Sequence, residues 1–170
     1  MASHTEHDTL PLPSFETPPK VLIVVAPYYK DIADGLVAGA EAALAQVSAE
    51  VERVDVPGAL EIPAAIRQAY RSGDFDAYVA LGCVIRGETT HYDIVAGESS
   101  RALTDLSLVG LAIGNGILTV ENTAQAEARA NPDKMNKGGG AAEAALHVLA
   151  LSQRFGKTVR EIGFKIGNAS

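Results

Sequence analysis

Cysteine is nearly absent from this chain of 170 residues: Cys83 stands alone, so no intrachain disulfide can form and neither zinc-finger spacing nor a CxxC redox pair exists. A reducing compartment, the cytoplasm, suits such a sequence. Aromatic residues make up only 5% and tryptophan is missing, which leaves the chain short of the largest core-filling side chains and gives it reason to bury surface against partners. No stretch reaches the ~20 apolar residues of a membrane-spanning helix, and the first twenty residues lack the basic region and apolar run of a secretory signal. Membrane attachment is therefore not expected. The formal charge is −7 and no long block of like charge occurs, so there is no electrostatic footprint for nucleic acid. Small molecules are the expected partners.

What is present is an apolar fraction of 47%, enough for one substantial core. Residues 1–19 combine charge, Ser and Thr with Pro11, Pro13, Pro18 and Pro19. That composition neither forms a helix nor nests in a core, so it reads as a flexible or extended N-terminal tail. Leu10, Leu12 and Phe15 lie between its prolines and can run extended along another sheet edge. Residues 20–157 form the single domain, and 158–170 read as a C-terminal tail.

The domain opens with Val21-Leu22-Ile23-Val24-Val25-Ala26, a β-branched run suited to a strand buried on both faces. Asp31 to Val47 then sets Ile32, Leu36, Ala40, Ala43, Leu44 and Val47 on one helical stripe. Further strands are expected at Val51 to Val56, Ala77 to Ile85 and Leu108 to Ile113. Helices are expected at Leu60 to Tyr70, Thr89 to Leu103, Asn122 to Ala130 and Gly139 to Phe155. This alternation predicts an α/β fold with a four-stranded parallel sheet in a three-layer α/β/α sandwich, joined by right-handed crossovers. Ligands in such folds sit beyond the carboxyl ends of the strands. The segments to inspect are therefore Pro27 to Lys30, Pro57 to Glu61, Arg86 to His91 and Asn115 to Thr119.

The segment Gly82-Cys83-Val84-Ile85-Arg86-Gly87-Glu88-Thr89-Thr90-His91 leaves a strand, turns at a glycine and enters a helix. Unpaired N–H groups there suit a phosphate, although a threonine N-cap explains the same residues. His91 suits proton transfer, or is polar surface. Asn136-Lys137-Gly138-Gly139-Gly140 has the look of a phosphate turn but not of a Walker loop, since Lys137 precedes the glycines. Gly114-Asn115-Gly116 lacks the third glycine of a dinucleotide fingerprint. Arg129 is either an anion ligand or a charge favourable to a helix C-terminus, and Glu61 either a ligand contact or a carboxylate suited to a helix start. Tyr28 and Tyr29 can wall a pocket for a planar ligand or pack on a neighbouring helix. Cys83, inside an apolar strand, reads as an inert core thiol.

Four motifs together resemble the 6,7-dimethyl-8-ribityllumazine synthase family from Lys20 to Gln153. They are Val56-Pro57-Gly58-Ala59-Leu60-Glu61-Ile62-Pro63; Gly82 through His91; Gly116-Ile117-Leu118-Thr119 with Gln125-Ala126 and Arg129-Ala130; and Asn136-Lys137-Gly138. The resemblance implies a flavodoxin-like arrangement of the sandwich and a homopentamer, assembled further into a shell in some members. It also implies a reaction without cofactor or metal: 5-amino-6-(D-ribitylamino)uracil condenses with 3,4-dihydroxy-2-butanone 4-phosphate to give 6,7-dimethyl-8-ribityllumazine, phosphate and water. By the same resemblance His91 transfers protons. Tyr28 stacks on the pyrimidine, Glu61 meets the ribityl hydroxyls, and Ala59, Leu60, Val84, Ile85 and Asn115 complete the substrate pocket. Gly87, Glu88, Thr89, Arg129 and Lys137 bind phosphate, with Asn115, Arg129 and Lys137 supplied by the adjacent subunit.

Three positions depart from the family pattern. Asn115 stands where an aromatic residue is common, Tyr29 where a small polar residue is frequent, and Gly140 where an acidic residue follows Asn-Lys-Gly. These changes bear on aromatic enclosure of the substrate and on the field around Lys137. They leave open a second class of function, a weakly catalytic shell-forming protein that holds a lumazine or flavin.

Overall fold

The computed structural model describes residues 10–161; residues 1–9 of the expected N-terminal tail and 162–170 of the expected C-terminal tail lie outside the described residues. Strand β1, Lys20–Val25, is fully buried from Val21 onward, as its continuous β-branched run requires. It lies between β2, Glu50–Asp55, and β3, Ala77–Ile85, and β3 pairs in turn with β4, Ile113–Val120. All pairings are parallel and the order is β2-β1-β3-β4. The sheet is thus the expected four-stranded parallel one in a flavodoxin-like α/β/α sandwich.

Alternation along the strands divides the core into two layers. Val21, Ile23, Val25, Val79 and Leu81 face α1, Lys30–Ala45, together with α4, Thr123–Ala130, and α5, Lys137–Glu161. Leu22, Val24, Tyr78 and Ala80 face α2, Ile62–Ser72, and α3, His91–Leu108. Leu12 and Phe15, from the segment before β1, rest against the first layer. Among the described residues no helix is long and apolar enough to cross a membrane.

The fourth strand is not where the sequence suggests. Leu108 and Val109 close α3 with 81% and 70% of their surface exposed, and Gly110 ends the helix with φ +106°. The strand follows, at Ile113–Val120, and contains both glycines of Gly114-Asn115-Gly116. Those glycines are there for clearance, because α5 crosses β4 so closely that a Cβ on Gly114 would overlap the Ala141 carbonyl oxygen. Asn115 to Thr119 is therefore strand interior and not a loop beyond a strand end. Two asparagines punctuate the last helices: the Asn122 carboxamide accepts from Gln125 N–H at 3.0 Å, and Asn136, at φ 44°, accepts from Gly139 N–H at 3.1 Å.

Candidate active site

Beyond the carboxyl ends of β1, β2 and β3 lies a cleft of about 580 Å³. Each strand exit contributes a wall. After β1 come Tyr28 and Tyr29, whose rings meet edge to face at 5.0 Å. Tyr28 is 76% exposed, while Tyr29 is partly buried against the core, and burial, then the neighbouring Tyr28, raises its phenol pKa. A planar ligand can lie on the open Tyr28 ring.

After β2 the chain makes a single 3-10 turn, Ala59–Glu61, before α2, with Pro63 in the first turn where its missing N–H costs nothing. Pro57, Gly58, Ala59, Leu60 and Glu61 all border the cleft. The exposed Glu61 carboxylate is available for a hydroxyl-bearing ligand.

The third wall is the end of β3 and the turn into α3. Val84 and Ile85 line it, followed by Gly87, Thr89 and His91. Thr90 precedes the helix but makes no side-chain cap; the hydroxyl of Thr89 accepts instead from His91 N–H, at 3.4 Å. The threonine that bonds to the first turn is therefore Thr89 and not Thr90. Helix α3 begins at His91, beside Thr89, and the partial positive charge of a helix N-terminus is a setting that favours an anion.

Cys83 packs against the core as expected, yet it is only half-buried and also lines the cleft. Burial still pushes its pKa up from 9.0 to about 11, so the thiol stays protonated and is a poor nucleophile. Tyr92 and Val95 also line the cleft and escaped the sequence reading. The Tyr92 ring lies beneath the Arg86 guanidinium at 4.0 Å, a contact that requires a residue before the turn and one after it to fold together.

The matching family model spans residues 18–153 and describes 6,7-dimethyl-8-ribityllumazine synthase. The chain belongs to that family. Proteins named 6,7-dimethyl-8-ribityllumazine synthase include one from Jannaschia sp. (strain CCS1), 53% identical over 97% of this chain and 92% of the relative. One from Methylobacterium radiotolerans is 58% identical over 90% of this chain and 95% of its own length. A third, from Methylorubrum extorquens (strain PA1), is 63% identical over 79% and 81%.

Measured against the expectations from the lumazine synthase motifs, Tyr28, Ala59, Leu60, Glu61, Val84, Ile85, Gly87, Thr89 and His91 come together in one cleft. Glu88 lies on the same turn, exposed, without bordering the cleft. Asn115, Arg129 and Lys137 are elsewhere in the chain. Asn115 is exposed on β4 and its side-chain oxygen accepts from Ile117 N–H at 3.0 Å. Arg129 closes α4 by donating to the Gln125 carbonyl at 3.1 Å, and Lys137 is exposed at the start of α5.

Proposed function

We propose that this cleft is where the chain, acting as a lumazine synthase of riboflavin biosynthesis, joins 5-amino-6-(D-ribitylamino)uracil to 3,4-dihydroxy-2-butanone 4-phosphate. The observation that carries the reading is the convergence of Tyr28, Glu61, Thr89 and His91 on one space of about 580 Å³, within the range usual for small-molecule sites. The pyrimidine stacks on Tyr28 with its ribityl chain toward Glu61. The phosphate of the second substrate sits at the Gly87-Glu88-Thr89 turn, where the α3 N-terminus favours negative charge.

Held side by side, the reactants need little more than proton management. The pyrimidine amine attacks the ketone carbon, a C–N bond forms, and the former carbonyl oxygen leaves as water to give an imine. Loss of a carbon-bound proton then expels the phosphate with its bonding electrons. The enol left by that elimination tautomerises to a ketone at the former hydroxyl-bearing carbon, and the ribityl-bearing nitrogen adds to this new carbonyl and loses a second water, which closes the ring. His91 moves protons between nitrogen and oxygen along this sequence. No step calls for a metal or an organic cofactor.

The site is completed by a neighbouring subunit in a homopentamer, which supplies Asn115, Arg129 and Lys137. Two observations support this. Those residues lie outside the cleft of their own chain, and large apolar side chains, Leu108, Val109 and Phe155 among them, are more than half exposed. The enzyme works in the cytoplasm, consistent with its lone cysteine. The decisive assay supplies both substrates and follows inorganic phosphate. Release that requires the pyrimidine supports catalysis, whereas tight lumazine or flavin binding without turnover would favour a holding role.

A further inference from the structure

We infer that Arg86 is a positioning residue of this site, setting the place of Thr89 and His91 by tying the end of β4 to the first turn of α3. This rests on the catalytic reading above. Arg86 ends the β3–β4 ladder, its backbone N–H donating to the Val120 carbonyl at 2.9 Å. Residues Gly87, Glu88, Thr89 and Thr90 then run exposed, and the helix they enter has no side-chain cap. The hydrogen bonds local to the turn are few: His91 N–H to the Thr89 hydroxyl at 3.4 Å, and the Asp93 and Ile94 N–H groups to the Thr90 carbonyl at 3.0 and 3.4 Å.

The Arg86 side chain supplies the missing restraint. Its Nε donates to both carboxylate oxygens of Glu121, at 3.2 and 3.0 Å, just past β4. Its Nη1 donates to Asp93 Oδ1 at 3.2 Å, and its plane covers the Tyr92 ring. A strand end and a helix start are thus held from one guanidinium. With two carboxylates on it and no place in the lining of the cleft, Arg86 acts on the substrate through the turn and not as its ligand. A lysine cannot replace it: a single ammonium lacks the planar fork that donates in two directions while stacking on a ring.

The pairs are exposed, so each contributes little to global stability. Their effect is on placement, and a misplacement of ~1 Å at a reacting group can cost about 100-fold in rate. Arg86→Lys should therefore lower kcat/KM for the butanone phosphate by about 10- to 100-fold while the affinity for the pyrimidine, held by Tyr28 and Glu61, is unchanged. Introduced into Thr89→Ala/His91→Ala, which retains turnover from juxtaposition, the same change should cost clearly less than in the parent, because the two side chains it positions are gone and only the turn backbone is left to misplace. A second readout is independent of activity: amide exchange at Asp93 and Ile94 should accelerate about tenfold in Arg86→Lys, with that of β3 unaltered. Undiminished kcat/KM, an equal loss in both backgrounds, equal weakening of both substrates, or unaltered exchange at Asp93 and Ile94 would each overturn the assignment. If the parent chain releases no phosphate from the two substrates, the catalytic reading fails instead, and the exchange measurement still decides whether Arg86 orders the turn.

Discussion

Alkylation of Cys83 reports on the electrostatics of the cleft without ambiguity, because it is the only thiol in the chain and it lines that space. Burial moves its pKa from 9.0 to about 11. At pH 8 that change lowers the thiolate fraction from about 9% to about 0.1%, nearly two orders of magnitude. A thiolate of higher pKa is also a better nucleophile, with a Brønsted coefficient of ~0.4–0.5, which returns about one of those orders. Folded protein should therefore react with iodoacetamide about tenfold more slowly than the chain in denaturant, and more slowly still where walls of the cleft limit approach. Intact-mass spectra of samples quenched at intervals give both rates. The folded rate should keep rising above pH 9, where the unfolded rate levels off, and saturating pyrimidine should suppress it. Equal rates at pH 8 with a common plateau would refute the claim that burial holds the thiol protonated. The same shift has a sign for stability. The unfolded thiol ionises near 9.0 and the folded one near 11, so its contribution is full below pH 9 and is lost as pH rises toward 11. Cys83→Ala should remove that component of the alkaline loss in urea titrations.

His91→Ala should slow steady-state turnover by about 10² to 10⁴, the usual span for general acid–base help, yet leave a measurable rate because imine formation proceeds once the reactants are adjacent. Normal turnover in this variant would remove His91 from the mechanism. Arg129→Ala should cost about 2–4 kcal/mol of transition-state binding, or about 30- to 900-fold in kcat/KM for the butanone phosphate. An unchanged KM and kcat for that substrate would mean that Arg129 only closes its own helix.

Much of the fold was legible because its strongest signals were also its most buried. Val21 to Ala26 reads as a central strand from its β-branched run alone, and the Ile32 to Val47 stripe reads as the helix that covers it. The fourth strand was misread for two related physical reasons. Leu108 and Val109 are apolar but lie on an exposed helix end, so hydropathy pointed to them as strand. Gly114 and Gly116 are turn-like in isolation, yet they are strand residues made small by the helix pressed on them. That pressure comes from residues nearly thirty positions later and leaves no local trace. In the site, Tyr28, Glu61, Thr89 and His91 could be found because each follows a strand, and the last three also lie in family motifs. Tyr92 could not, and Arg86, though inside a motif, gave no sign of its role, since their contact depends on how a strand end, a turn and a helix meet. Arg129 and Lys137 were named from motifs as well, and Asn115 from its place beside one, but one chain by itself does not bring them to the cleft.

A site divided in this way needs two subunits to work. A complementation experiment tests it directly: a variant carrying Thr89→Ala and His91→Ala is mixed with one carrying Arg129→Ala and Lys137→Ala, and the two are denatured and reassembled together. In a head-to-tail ring with random equal mixing, intact halves meet at about one interface in four. Phosphate release from the two substrates should then climb from the low level of either parent toward about a quarter of the unmodified enzyme. Mixed rings confirmed by native mass spectrometry that remain as slow as both parents would contradict a site built across two subunits.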